Sequence, residues 1–257
     1  MKKIVFALLT VLCLLVMAGC GGSKETVSDA KVLRVGTDPQ SPPFELYLEE
    51  QKEYTGFDVD LINDLAQHMG YSKVEFVRTP YSELLAGLND NKYDVAMYNF
   101  SLTEERSREY APSNAYAKAG FSVVASEKAL ELDLKGDFSG KKIAVMAKTS
   151  AERFAKEFAG ALIVGYPSYE SALHAVSTGE ADYAICGNLT AAYIMTHTSK
   201  HGLKVVGHSE KQDEIVFYMN KNNSELQKKL NDALSECKKS GEYKKLIEFY
   251  FGDIEKQ

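Results

Sequence analysis

Past its opening segment the sequence has no long apolar run: nothing after Val32 approaches the roughly 20 residues that a helix needs to cross a bilayer. The body of the chain is therefore expected to be soluble. Cysteine is scarce. Of four, Cys13 and Cys20 fall in the opening segment, leaving Cys186 and Cys237 to form one disulfide in an oxidising compartment or to persist as thiols. Positive charge is not in excess either: 30 basic residues face 36 acidic ones, for a net charge of −6, and the lysines are scattered among acids with no basic stripe. That pattern argues against a nucleic-acid partner. The five histidines (His68, His174, His197, His201, His208) sit in no metal-ligand or triad motif, and no glycine-rich phosphate loop occurs. No metal, no cofactor and no catalytic residue is implied. His68 lies on a predicted helix face and reads as solvated.

What the chain does have begins with Met1-Lys2-Lys3 and the apolar run Ile4 to Met17, a short positive region and a core too brief for a comfortable span. Residues 1–19 read as an export signal. The core ends in Met17-Ala18-Gly19-Cys20, which resembles the lipobox of bacterial lipoproteins, with methionine where leucine is usual. The resemblance implies cleavage before Cys20 and acyl chains, palmitate among them, on its modified form; two chains anchor where one does not. Residues 20–31, opening with Gly-Gly-Ser-Lys-Glu after the cysteine, read as a flexible tether. The alternative is an uncleaved anchor in which Cys20 is incidental. On the first reading the mature chain has about 238 residues, a net charge of −8 after loss of Lys2 and Lys3, and a place outside the cell membrane without spanning it.

From Val32 the pattern alternates. Val32–Thr37, Val74–Val77 and Asp94–Tyr98 read as strands, Phe57–Met69 and Ser82–Leu88 as helices. The first helix is strongly marked, with Phe57, Leu61, Leu65 and Met69 at spacing four, Asp58 and Asp60 at its positive end and Gly70 to close it. After Lys118 the theme returns: strands at Phe121–Ala125, Ile143–Met146 and Tyr183–Cys186, helices at Ala151–Phe158 and Ser168–Ser177, a loop over 131–141. The tail from Glu225 to Phe251 reads as two amphipathic helices broken at Ser240-Gly241. Alternation of this kind argues for parallel α/β sheets, and this length suits one large domain or two ordinary ones.

Three blocks narrow the choice. Gly56-Phe57-Asp58-Val59-Asp60-Leu61, continued by Leu65-Ala66 and Met69, is one; Asp94-Val95-Ala96-Met97 with Ser101-Leu102-Thr103-Glu104-Glu105-Arg106, Pro112-Ser113 and Tyr116 is the second; Gly241-Glu242-Tyr243-Lys244-Lys245-Leu246 with Phe251-Gly252 is the third. Together they resemble the polar amino acid family of bacterial extracellular solute-binding proteins, and the likeness covers essentially all of the mature chain. It implies a type II periplasmic-binding-protein fold, two α/β lobes joined by a two-strand hinge. Lobe 1 would comprise 32–118 and 214–257 and lobe 2 would comprise 119–213, with crossings near Ala119 to Ser126 and Asp213 to Met219. Cys186 and Cys237 would then stand in different lobes, which favours free thiols. The function implied is that of the monomeric substrate-binding subunit of an ABC importer, which closes on a small amino acid or close analogue and hands it to the permease.

Ligands of α/β lobes lie beyond the carboxyl ends of the strands, where Asp38, Tyr81 and Ser101 to Arg106 fall. By resemblance Arg106 anchors the ligand carboxylate, for which its planar fork is suited; the plain alternative is pairing with Glu104 or Glu105. Ser101 would offer a hydroxyl and an N–H, or simply cap a turn; Tyr81 would stack on the ligand, or be partial core. Asn99, Phe100, Met146, Gly187 and Asn188 are placed at the same site. Thr149 and Ser150, after Lys148 where the family commonly has glycine, resemble a strand-to-helix turn whose N–H groups meet the carboxylate, or form a plain N-cap. Ser41 replaces an aromatic wall. Gly187 stands where the family typically has the aspartate that pairs with the ligand ammonium; Asp38, Glu214 or another acid compensates, or Asn188 and carbonyls such as that of Asn99 suffice, or the ligand lacks an ordinary α-amino group. Two rivals share the fold, a cleft enzyme of dehydratase type and a sensory lipoprotein.

Overall fold

The computed structural model describes residues 31–130, 134–197 and 202–252. The expected signal segment, the Cys20 lipidation site and His201 lie outside them. Fourteen strands and eight helices are found among the described residues.

The first sheet begins with β1 (Val32–Thr37), and a small antiparallel meander follows: β2 (Gln40–Ser41), β3 (Glu45–Leu48) and β4 (Glu53–Thr55). Helix α1 (Phe57–His68) comes next, then β5 (Lys73–Arg78), α2 (Tyr81–Asn89), β6 (Val95–Ser101), the short α3 (Glu104–Glu109), β7 (Tyr110–Pro112) and β8 (Ala117–Ala119). The second sheet is built from β9 (Phe121–Ser126), β10 (Lys142–Met146), α4 (Ser150–Ala155), β11 (Leu162–Tyr166), α5 (Tyr169–Ser177), β12 (Tyr183–Gly187), α6 (Asn188–His197) and β13 (Leu203–His208). The chain then returns to the first sheet as β14 (Asp213–Asn220) and ends in α7 (Ser224–Ser240) and α8 (Glu242–Phe251).

Strand order is β5-β1-β6-β14-β7 in the first sheet, with β8 also on β14, and β11-β10-β12-β9-β13 in the second. Strands β5, β1 and β6 are parallel, as are β11, β10 and β12. The remaining pairings are antiparallel, so neither sheet is the purely parallel one that alternation predicts. The reason is connectivity: β14 re-enters the first sheet from the second lobe and β9 enters the second from the first, each running against its neighbour. The chain passes between the sheets twice, at Gly120 and at residues 209–212.

Period-two alternation assigns each strand's two faces to different cores. Val95 and Met97 of β6, with Phe217 and Met219 of β14, pack under α1, α7 and α8 with Leu61, Leu65, Leu230 and Leu234. The alternate residues Tyr98, Phe100, Val216 and Tyr218 join a second cluster that continues into the other lobe through Ala144, Met146, Leu173 and Cys186. The far face of the second sheet (Val123, Ile143, Val145, Ile185) is covered by Ala151, Ala155 and Phe158. Truncating a fully buried leucine such as Leu65 would cost about 2–5 kcal/mol.

Helix α1 forms where the spacing places it and stops at Met69, with Gly70 in the left-handed region (φ 79°). Its start needs Gly56, at φ 126°, since a Cβ there would lie 2.3 Å from the Phe44 carbonyl oxygen. The carbonyls of Pro43 and Phe44 accept from the N–H groups of Phe57 and Asp58 at 2.9 Å, tying the meander to the helix. His68 is not simply solvated: Nε2 lies 3.1 Å from Glu242 and Nδ1 3.8 Å from Glu236, joining α1 to α7 and α8. Cys186 and Cys237 are buried free thiols, and burial raises the Cys186 thiol to about 12, which keeps it protonated.

Candidate functional site

Between the sheets lies a cleft that encloses about 470 Å³ of atom-free space when the solvent at its mouth is counted. The first lobe contributes Phe44, Tyr81, Tyr98, Asn99, Phe100, Ser101 and Arg106; the second contributes Phe121, Thr149, Ser150, Ala151, Tyr169, Gly187, Leu189 and Thr190. Ala119, Gly120 and Ile215 complete it at the crossing strands.

Arg106 sits in α3 because Thr103 caps that helix, accepting from the Arg106 N–H at 3.2 Å. Its guanidinium does not pair with Glu104 or Glu105. Nη1 donates to the Ser101 carbonyl (3.1 Å), Nη2 to the Tyr81 hydroxyl (2.9 Å), and the group lies 5.1 Å from the centre of the Phe100 ring. Two of five donors are thus committed to aiming the fork, and Glu104 pairs instead with Arg108 at 3.5 Å. Tyr81 opens α2, where its N–H donates to Asp38 at 2.8 Å; a carboxylate at a helix start is well placed against the macrodipole. The Tyr81 ring packs on Tyr98 (4.6 Å between centroids) and Phe100 (5.7 Å), and burial raises its hydroxyl above the usual range. That hydroxyl also donates across the cleft to the Lys148 carbonyl at 3.1 Å.

On the facing lobe Thr149 caps α4, accepting from the Glu152 N–H (3.4 Å) and donating to the Met146 carbonyl (2.7 Å). Ser150 is buried, and its hydroxyl has no hydrogen-bond partner among the described residues. Lys148 takes φ 64°, the left-handed conformation that glycine adopts without cost, and its N–H is held by Glu152 at 2.5 Å.

Four of the residues placed at the site from sequence stand one layer behind the cavity wall. Asp38 holds Tyr81 and accepts from the Gln40 side chain at 2.8 Å. Ser41 is fully buried and accepts from the Asn99 side chain at 2.7 Å. Met146 receives the Tyr98 hydroxyl on its sulfur at 3.2 Å. Asn188 is turned to the crossing strand: its side chain accepts from the Gly120 N–H (3.2 Å) while its own N–H donates to the Gly120 carbonyl (2.9 Å). Tyr81, Asn99, Phe100, Ser101, Arg106, Thr149, Ser150 and Gly187 do line the cavity. Glu214 is exposed and does not.

Tyr98, Tyr169 and Thr190 are wall residues that sequence reasoning missed, because each falls in a run that reads as core. A second omission lies beneath the floor. Glu45 and Asp58 are both fully buried. Asp58 Oδ2 accepts from the Asn99 N–H (3.1 Å) and the Tyr116 hydroxyl (2.7 Å), which holds Asn99 at φ 34°. Neither Glu45 oxygen, nor Asp58 Oδ1, meets a donor among the described residues. Burial, reinforced by the neighbouring Asp58, pushes Glu45 well above the usual carboxylate range, and burial carries Asp58 to about 7. Two adjacent carboxylates in a dry site resist ionising together, which favours one shared proton across the pair.

A two-lobed architecture with a lined cleft between the sheets and two crossing strands defines a ligand-binding protein. The chain belongs to the bacterial extracellular solute-binding proteins, family 3, whose model matches residues 33–253. It is 26% identical to the L-cystine-binding protein of Bacillus subtilis strain 168 over 98% of both chains. Among solved structures it is similar to an ancestral arginine-binding protein bound to arginine (TM-score 0.79, 31% identity, covering 86% of this chain and 98% of that one). A comparable likeness (TM-score 0.78, 31% identity, 86% and 95%) joins it to an ancestral amino acid-binding protein that is a precursor of cyclohexadienyl dehydratase. The fold is accordingly the type II periplasmic-binding-protein fold, and no helix among the described residues is long and apolar enough to cross a membrane.

Proposed function

We propose that this chain is the substrate-binding subunit of an ABC importer, anchored outside the cell membrane through lipid on Cys20, and that it captures the carboxylate of an amino acid or close analogue between its lobes. The observation that carries this reading is the pairing of Arg106, aimed from the first lobe by Ser101, Tyr81 and Phe100, with the unpartnered Ser150 hydroxyl on the second. A carboxylate between them would receive charge-assisted bonds from both sides. The lobes would divide at 118/119 and 213/214, near the crossings at Gly120 and residues 209–212, where β8 pairs with β14. A Cβ at Gly120 would lie 2.8 Å from the Ser209 hydroxyl, so the crossing is closely packed and a small rotation there reorients a whole lobe.

Binding without turnover is the reading favoured by the wall chemistry, since the cavity presents one arginine among aromatic, hydroxyl and small residues and no histidine, aspartate or glutamate among those described. Thermal-shift screening of amino acids and their analogues tests the whole reading. One ligand class should stabilise the protein, by about 2.7 kcal/mol at a hundredfold excess over its dissociation constant, and Arg106→Ala should remove that shift while leaving the unliganded melting temperature in place. An unchanged affinity in this variant would sink the carboxylate anchor. Uptake measured in a deletion strain separates an importer subunit from a sensory lipoprotein, and radiolabel in the acyl fraction, lost on Cys20→Ala, checks the anchor.

A further inference from the structure

The cavity carries charge of one sign. Arg106 is the sole ionised side chain among the described residues that line it; the others are aromatic, hydroxyl-bearing, amide or apolar. The acids packed behind its wall are committed to other partners. Asp38 is occupied by the Tyr81 N–H and the Gln40 side chain, both at 2.8 Å. Asp58 is sealed under the floor by the Asn99 N–H and the Tyr116 hydroxyl, and the neighbouring Glu45 is fully buried with it. Glu152 holds the Lys148 N–H and pairs with Lys156 at 2.7 Å.

A zwitterion enclosed here would find its carboxylate matched and its ammonium without a counter-charge. Removing an ammonium from water with no carboxylate to receive it is among the most costly forms of burial. The faces of Tyr81, Tyr98 and Tyr169 attract a cation, but that is the weaker effect. The wall opposite Arg106 also has room to spare at Gly187: a Cβ built there meets nothing closer than the Thr190 hydroxyl oxygen at 3.7 Å.

We infer that the ligand is a net anion, a carboxylic acid whose α-nitrogen is acylated or replaced by a hydroxyl or oxo group, and that the absence of an acid from the cavity wall selects it against free amino acids. The inference rests on the carboxylate anchor at Arg106. It names the class of ligand which that anchor admits.

The experiment is a calorimetric titration of the purified protein with matched sets, each standard amino acid as the free compound, as its N-acetyl derivative and as its 2-hydroxy acid. For the side chain that binds best, the acylated or hydroxy form should bind at least tenfold more tightly than the free amino acid. Gly187→Asp, which places a carboxylate in the open space, should move that preference at least tenfold toward the free amino acid. Tighter binding of the free amino acid to the unaltered protein overturns the inference and leaves the Arg106 anchor standing. If no member of any set binds, both fall. The preference of the unaltered protein decides the matter even if the aspartate variant fails to fold.

Discussion

On the first-lobe face of the cleft, side chains hold one another: Tyr81 and the Ser101 carbonyl aim Arg106, Phe100 lies under it, and Asp38 fixes Tyr81. On the second-lobe face the backbone does the holding, through a turn in which Lys148 takes a left-handed conformation and Thr149 spends both its hydrogen-bonding directions on the strand and helix that flank it. The contrast shows how one cleft divides two tasks. A cationic fork needs lateral support if it is not to swing away, whereas a small hydroxyl such as Ser150 is positioned by the path of the chain alone.

The largest test of this contrast is affinity. Arg106→Ala should cost about 3 kcal/mol of ligand binding, more than a hundredfold, measured by calorimetry with whichever ligand the screen yields. Ser150→Ala should cost about 1.5 kcal/mol, roughly tenfold. A greater loss at Ser150 than at Arg106 would reverse the division of labour.

The acid pair beneath the first-lobe floor gives a pH test. Because burial raises Asp58 from its ordinary value to about 7 and raises Glu45 well above its own, the folded state retains protons that the unfolded chain releases. The stability they confer is fully present below the ordinary carboxylate range and is lost as pH climbs through about 7. The melting temperature should therefore fall between pH 5 and pH 8, and Glu45→Gln, which keeps a donor toward Asp58 without a second titrating acid, should flatten that fall. An equally steep profile in the variant would remove the shared proton. The smallest effect is expected on the second-lobe turn, where Lys148→Gly relieves a left-handed non-glycine residue and should raise stability by about 0.5 kcal/mol in urea unfolding.

How far the sequence reveals this depends on how each residue betrays itself. Helix α1 was legible because its spacing, acidic start and closing glycine agree; Arg106 stands within the second of the three blocks, whereas the Thr149-Ser150 turn lies outside them and is marked only by its likeness to a strand-to-helix turn. Helix α6 was missed because the polar and apolar residues of Asn188–His197 are mixed around the helix and show no stripe. Strands β11 and β13 went unread although Gly160 and Pro167 bound the one and Gly202 opens the other, and β2 has only two residues. Asp38, Ser41 and Asn188 carry the residue types of a binding site yet lie behind it, since spacing places a side chain on a strand end without saying whether it faces the ligand or the residue that does. Tyr98 and Tyr169 show the converse, as aromatic residues in core-like runs that surface only where the two sheets face each other. The Glu45–Asp58 pair joins residues thirteen positions apart on different elements, and only the folded meander brings them together.

The contacts that cross the cleft have a consequence for traffic through a transport system. Tyr81 to the Lys148 carbonyl and Tyr98 to the Met146 sulfur are both neutral bonds between the lobes. Each contributes on the order of 1 kcal/mol or less. Beside the apolar cluster that runs on from one lobe into the other, these polar bonds add little to closure, so a ligand that binds the closed form better is what shifts the lobes toward it. Bonds of that size break readily, which suits a carrier that must give its cargo up.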